Sequence, residues 1–122
     1  SRYYIHAADV ADAMHFLLQL DESKLEADYG DAKCPKFNLV GKQEINNLQL
    51  AQIIAEAQGK ELKYEMMDFH SARPGHDLRY ALSGEYMKNL GWEPKVDLTE
   101  RIGEVVEWTL QNDRWLRCED GE

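Results

Sequence analysis

The chain has 122 residues, with 14 Lys+Arg against 23 Asp+Glu for a formal net charge of −9, 43% apolar residues and a mean hydropathy of −0.62. That length fits one domain with a modest core, over residues 1–122, and is too short for a cofactor domain plus a substrate domain. The acidic balance excludes a broad nucleic-acid or anionic-membrane surface but leaves room for a few arginines around one phosphate.

In chain order, residues 1–6 are aromatic and β-branched and predict a short strand or extended entry. Ala7 to Leu20 then changes period: Val10, Met14, Leu17 and Leu18 predict one apolar stripe on a helix. Residues 21–36 are polar and acidic at their start, contain Gly30, and predict a surface loop. Phe37 to Val40 predicts a short strand stopped by Gly41. Asn46 and Gln49 carry the spacing of a capping box, opening a helix with Leu50, Ile53, Ile54 and Ala57 on one face and Gly59 as its left-handed stop.

Leu62 to Met67 alternates like a strand, and residues 70–78 form a loop around Pro74-Gly75. A short helix from Gly84 to Leu90 ends at Gly91. Thr99 is expected to cap a last helix to about Asn112, with Ile102, Val105, Val106, Thr109 and Leu110 inward and Trp108 and Trp115 as packing residues. The order β-α-β-α-β-α-α predicts an α/β layer arrangement.

Much familiar chemistry has no place in these residues. Glycines 30, 41, 59, 75, 84, 91, 103 and 121 are never closer than seven residues, so neither a dinucleotide-binding fingerprint nor a P-loop can be written. His6, His15, His70 and His76 show no metal-ligand spacing, and no Gly-x-Ser-x-Gly elbow occurs. Tyr29 and Lys33 match Tyr-x-x-x-Lys, but Gly30 and Cys34-Pro35 oppose the helix that such a pair requires. No apolar run reaches the roughly 18 residues of a membrane span. The opening residues lack a signal-peptide layout, and Cys34 and Cys118 suit free thiols in a cytoplasmic protein.

The stretch Arg73-Pro74-Gly75-His76-Asp77-Leu78-Arg79-Tyr80-Ala81 carries the densest chemistry. Its turn can aim Arg73 and Arg79 at phosphate oxygens, His76 at phosphate or ribose, and Asp77 at sugar hydroxyls. The same residues also suit an ordinary surface turn held by a local ion pair. Asn47, at the first position of its helix, can face an anion drawn to the helix N-terminus or simply face solvent. Arg2, a cation beside aromatics, is either a third ligand contact or a surface arginine.

Three blocks carry a resemblance. Arg2-Tyr3-Tyr4-Ile5-His6 with Asp9-Val10-Ala11-Asp12-Ala13 resembles the segment that opens the substrate-binding part of extended short-chain dehydrogenases. Phe37-Asn38-Leu39-Val40-Gly41 with Asn46-Asn47-Leu48 is similar to a second family block. Arg73 to Ala81, Leu90-Gly91-Trp92-Glu93-Pro94 and Val106-Glu107-Trp108 resemble the end of that family's nucleotide-sugar 4,6-dehydratases of the dTDP-glucose type. Ala8 and Ser83 depart from the pattern, which has acidic residues there.

The resemblance implies a C-terminal, mixed α/β substrate-binding portion of an extended Rossmann-type enzyme whose other half binds NAD and supplies the catalytic Tyr and Lys. It implies that Arg2, Asn47 and Arg73 contact the diphosphate of a dTDP- or UDP-hexose, with His76 and Asp77 near phosphate or ribose and Arg79 alongside. By that expectation the chain binds no cofactor and is not catalytic by itself. A stand-alone binding or regulatory module and an acidic interaction domain are the alternatives. Strand edges and apolar helix faces built for a missing half predict self-association.

Overall fold

A computed structural model describes residues 1–25, 34–68 and 79–116. Helices dominate the described residues: α1 (Ala7–Gln19), α2 (Asn47–Ala57), α3 (Glu85–Leu90) and α4 (Leu98–Gln111), with 3₁₀ turns at Glu22–Lys24 and Asp113–Trp115. The sheet is two short antiparallel strands, β1 (Arg2–Tyr3) and β2 (Glu44–Ile45), in the register Arg2↔Ile45 and Tyr3↔Glu44. A parallel bridge from Arg2 to Tyr80 adds a third segment on the other side of β1. The described residues are therefore mixed but helix-rich, with far less strand than the α/β layers expected.

The helix boundaries follow their local chemistry. Asn46 accepts from the Gln49 N–H while the Gln49 side chain accepts from the Asn46 N–H, completing the expected capping box at 2.9 Å each way. Gly59 and Gly91 adopt φ of 64° and 106°, the left-handed geometry that stops α2 and α3. At the start of α3, Ser83 Oγ accepts from the Glu85 N–H at 3.3 Å. The last helix starts two residues earlier than expected, with Asp97 and not Thr99 at the cap. The Asp97 carboxylate makes no cap bond because it accepts from Lys42 Nζ at 2.7 Å, which also raises the Lys42 pKa.

Two clusters form the interior. Ile45, Leu98, Ile102 and Val106 pack with Tyr4, Leu50, Ile53 and Ile54; Ala13, Met87 and Trp92 pack with Ile5, Phe16, Leu17, Phe37, Leu39 and Leu90. Tyr4 and Ile5 sit in different clusters, as the period-two alternation of an extended segment requires. The opening segment thus runs between a layer of α2 and α4 and a layer of α1 and α3. Asp9, buried in the first turn of α1, accepts from Arg101 Nη2 at 2.7 Å and joins α1 to α4. Bonds to Asp9 and Glu104 raise the Arg101 pKa. Asp12 accepts from the Trp92 indole at 2.8 Å, which lowers its pKa and ties α1 to the end of α3.

Several expected elements are absent or turned. Residues 37–40 form no strand; Phe37 and Leu39 reach the core as side chains, Phe37 stacking on Tyr86 at 5.7 Å. Residues 62–67 form no strand, and Tyr64 and Met66 are exposed, because alternation without a neighbouring strand leaves the ladder unmade.

On α1 the buried stripe is rotated one residue from the one expected, onto Asp9, Ala13, Phe16 and Leu17, so Met14 and Leu18 face outward. Arg101 draws Asp9 inward, and the small Ala13 admits Met87 and Trp92. Ala57 is exposed at the end of α2, and on α4 Val105 and Leu110 lie outside the buried face of Leu98, Ile102 and Val106. Trp108 and Trp115 are more than half exposed and pack on each other, centroids 6.3 Å apart, instead of filling the core.

Candidate functional site

The candidate residues fall into two groups. Arg2, Asn47 and Arg79 lie within the described residues; Arg73, His76 and Asp77 lie outside them. β1 organises the first group. Partners across a ladder share a face, so the register puts Arg2, Ile45 and Tyr80 on one side and Tyr3 and Glu44 on the other. Tyr4, two residues on from Arg2, shares the Arg2 side and packs in the Ile45 cluster.

Asn47 comes to that same side through Tyr4, whose hydroxyl donates to Asn47 Oδ1 at 3.3 Å. The bond leaves the Asn47 amide NH₂ as a donor at the first turn of α2, beside main-chain N–H groups that the helix itself does not use. Arg2 stands with its guanidinium carbon 4.9 Å from the Tyr80 ring centroid. Among the described residues no carboxylate pairs with it, in contrast to Arg79 and Arg101.

Arg79 points away from this face. Its Nε and Nη2 donate to Glu44 Oε1 and Oε2 at 2.7 and 2.8 Å, a bidentate pair that consumes two of its five N–H donors. The Ser1 hydroxyl also donates to Glu44. Arg79 above all, then Ser1, hold the Glu44 pKa down to about 2, and the same pairing raises the Arg79 pKa. The pair fastens Arg79 onto β2, and the Tyr80 N–H donates to the Ser1 carbonyl at 3.0 Å. Tyr4, Glu44 and Tyr80 are therefore contacts of the candidate residues that motif reading passes over. The acid and base in Glu44 and Arg79, and the tyrosine inside the Arg-Tyr-Ala string, are the only signals of them in the chain.

Beside Arg2 and Tyr80 opens a cavity of about 400 Å³ with Leu39, Val40 and Leu82 in its wall. On the Tyr3 side a second of about 410 Å³ is lined in part by Lys42, Lys88, Met87 and Trp92. Both lysines already have partners, Asp97 at 2.7 Å and Glu93 at 3.4 Å. Among the described residues no group of three or more His, Cys, Asp or Glu could hold a metal ion, and no helix is long and apolar enough to cross a membrane.

The space a Cβ would fill at Gly41 is taken by the Tyr4 carbonyl, and that at Gly84 by the Val40 side chain.

Comparison with known proteins gives relatives that are sugar-nucleotide dehydratases. The particular protein they name is dTDP-glucose 4,6-dehydratase, to which the chain is similar over nearly its full length, as its motifs indicate. The dTDP-D-glucose 4,6-dehydratase of Mus musculus is 32% identical over 123 residues, covering 97% of this chain and 32% of the mouse protein. That of Homo sapiens is 31% identical over 116 residues, covering 92% and 30%. The dTDP-glucose 4,6-dehydratase of Salmonella typhimurium is 30% identical over 121 residues, covering 94% and 31%. The chain spans about a third of the length of these relatives. No family model matches it, and no solved structure matches it significantly.

Proposed function

We propose that this chain is the nucleotide-sugar-binding, C-terminal portion of a dTDP-glucose 4,6-dehydratase-like protein, and that it holds the diphosphate of a dTDP- or UDP-hexose without catalysing the reaction itself. The observation that carries this reading is that the segment bearing Arg2 also bonds Asn47, through the Tyr4 hydroxyl. An anion bound there would be offered a guanidinium that no carboxylate pairs among the described residues, an amide donor and the N-terminus of an eleven-residue helix.

Arg73 is assigned to the same diphosphate, and His76 and Asp77 to phosphate or ribose. Arg79, held by Glu44, serves the site by fixing the segment that follows them. The redox step with NAD belongs to a Rossmann half that these residues do not supply. A cytoplasmic location goes with this reading. The outward Met14, Leu18, Trp108 and Trp115 support association with a further copy or with such a half. Sedimentation across a wide concentration range tests that part, and a monomer throughout refutes self-association.

Calorimetric titration with dTDP and with UDP tests the binding claim. Binding of at least one, weakened about tenfold or more by Arg2→Ala, is the expected result, since a charge-assisted bond contributes about 1.5–3 kcal/mol. No heat with either nucleotide at millimolar concentration refutes it.

A further inference from the structure

Two arginines border the same ladder, and their surroundings differ in kind. Arg79 is neutralised by a bidentate carboxylate. Arg2 is held instead by an aromatic ring, 4.9 Å from guanidinium carbon to Tyr80 centroid. The difference matters for ligand binding. A bidentate carboxylate offsets the charge of an arginine and takes two of its N–H donors, so an incoming anion must compete with it. An aromatic face attracts the cation through its quadrupole and leaves the charge and every N–H donor available.

We propose that Tyr80 is a positioning residue for Arg2: its ring holds the guanidinium ready for an anion, and the Arg79–Glu44 pair holds the ring. The inference rests on the reading of Arg2 as a diphosphate contact. The ring's own placement is well determined. Tyr80 forms the parallel bridge to Arg2, its N–H bonds the Ser1 carbonyl, and the preceding residue is clamped to β2. Alternation then leaves the Tyr80 side chain no face but that of Arg2. An arginine side chain free in solvent loses rotamer entropy when it meets a ligand, and the ring removes part of that loss beforehand. The arrangement gives the two arginines separate tasks, one to meet the ligand and one to build the seat of the other.

The test compares Tyr80→Phe, which keeps the ring, with Tyr80→Leu, which removes it. Tyr80 is half exposed, so both variants are expected to fold, and far-UV circular dichroism checks this. In dTDP titrations Tyr80→Leu should bind about three- to fivefold more weakly than wild type, with Tyr80→Phe unchanged. Equal affinity in all three proteins, or an equal loss in both variants, overturns the proposal.

Proton NMR of the Arg2 side chain gives a readout that needs no ligand. Upfield ring-current shifts of its Hδ and Hε resonances should appear in wild type and Tyr80→Phe and vanish in Tyr80→Leu. Absence of those shifts from the wild type also overturns the proposal. If the shifts are present but dTDP does not bind, the positioning of Arg2 stands and the diphosphate reading alone fails.

Discussion

Gly41 and Gly103 invite the same substitution with opposite results. A Cβ built at Gly41 falls 1.8 Å from the Tyr4 carbonyl oxygen and 2.7 Å from its carbon, against a practical minimum of 3.0 Å. The obstacle is backbone, so no rotamer change relieves it, and the chain must separate by more than about 1 Å at a buried crossing. The segment displaced is the one that carries the β1 register and the Tyr4–Asn47 bond. We expect Gly41→Ala to destabilise the fold by about 2–3 kcal/mol, the range for overpacking, or roughly 8–15 °C in Tm for a chain of this size.

At Gly103, inside α4, nothing lies within 4 Å of the added carbon. There Ala removes backbone entropy from the unfolded chain and is expected to stabilise by about 0.5–1 kcal/mol. Urea denaturation followed by far-UV circular dichroism measures both. Two changes of the same sign, or a Gly41→Ala protein within about 1 kcal/mol of wild type, would refute the reasoning from close approach.

Among the described residues the buried Tyr86 hydroxyl has no hydrogen-bond partner. Tyr86→Phe removes its desolvation cost and keeps the stack on Phe37, so equal or greater thermal stability is expected; a clear loss would show that the hydroxyl has a partner. The Glu44 carboxyl, at about 2 instead of the ordinary 4.5, stabilises the fold fully above pH 4.5 and less as pH falls toward 2. Melting temperatures taken down that window should fall less steeply in Glu44→Gln than in wild type, and parallel slopes would count against the pairing.

What could be read from the residues alone was local. The Asn46–Gln49 box, the glycine stops at Gly59 and Gly91 and the existence of the four helices of the described residues depend on neighbours within a few positions. What could not be read depended on distant partners. Asp9 turns inward only because Arg101, 92 positions away, awaits it, and that rotates the whole of α1. Asp97 displaces Thr99 as the cap while its carboxylate is taken by Lys42, 55 positions away. Residues 37–40 and 62–67 have the alternation of strands, but a strand is made by its neighbour.

The candidate site divides in the same way. Arg2 and Asn47 were recognisable as residue types that suit an anion. Their common face, and the turn of Arg79 toward Glu44, follow from a register of four residues that no local pattern encodes.

The three-part ladder has a kinetic side. Its pieces come from residues 1–3, 44–45 and 79–80, and the hydrogen bond from Ser1 to Glu44 alone closes a separation of 43 positions. The helices nucleate from contacts within a turn or two, whereas β1 must be captured across long loops whose closure entropy is lost before any pairing is gained. An intermediate holding the four helices of the described residues would still lack the seat of Arg2. On the proposed reading, ligand affinity reports on the completed fold alone, and a bound diphosphate would slow the release of the first three residues before it slowed the fraying of any helix.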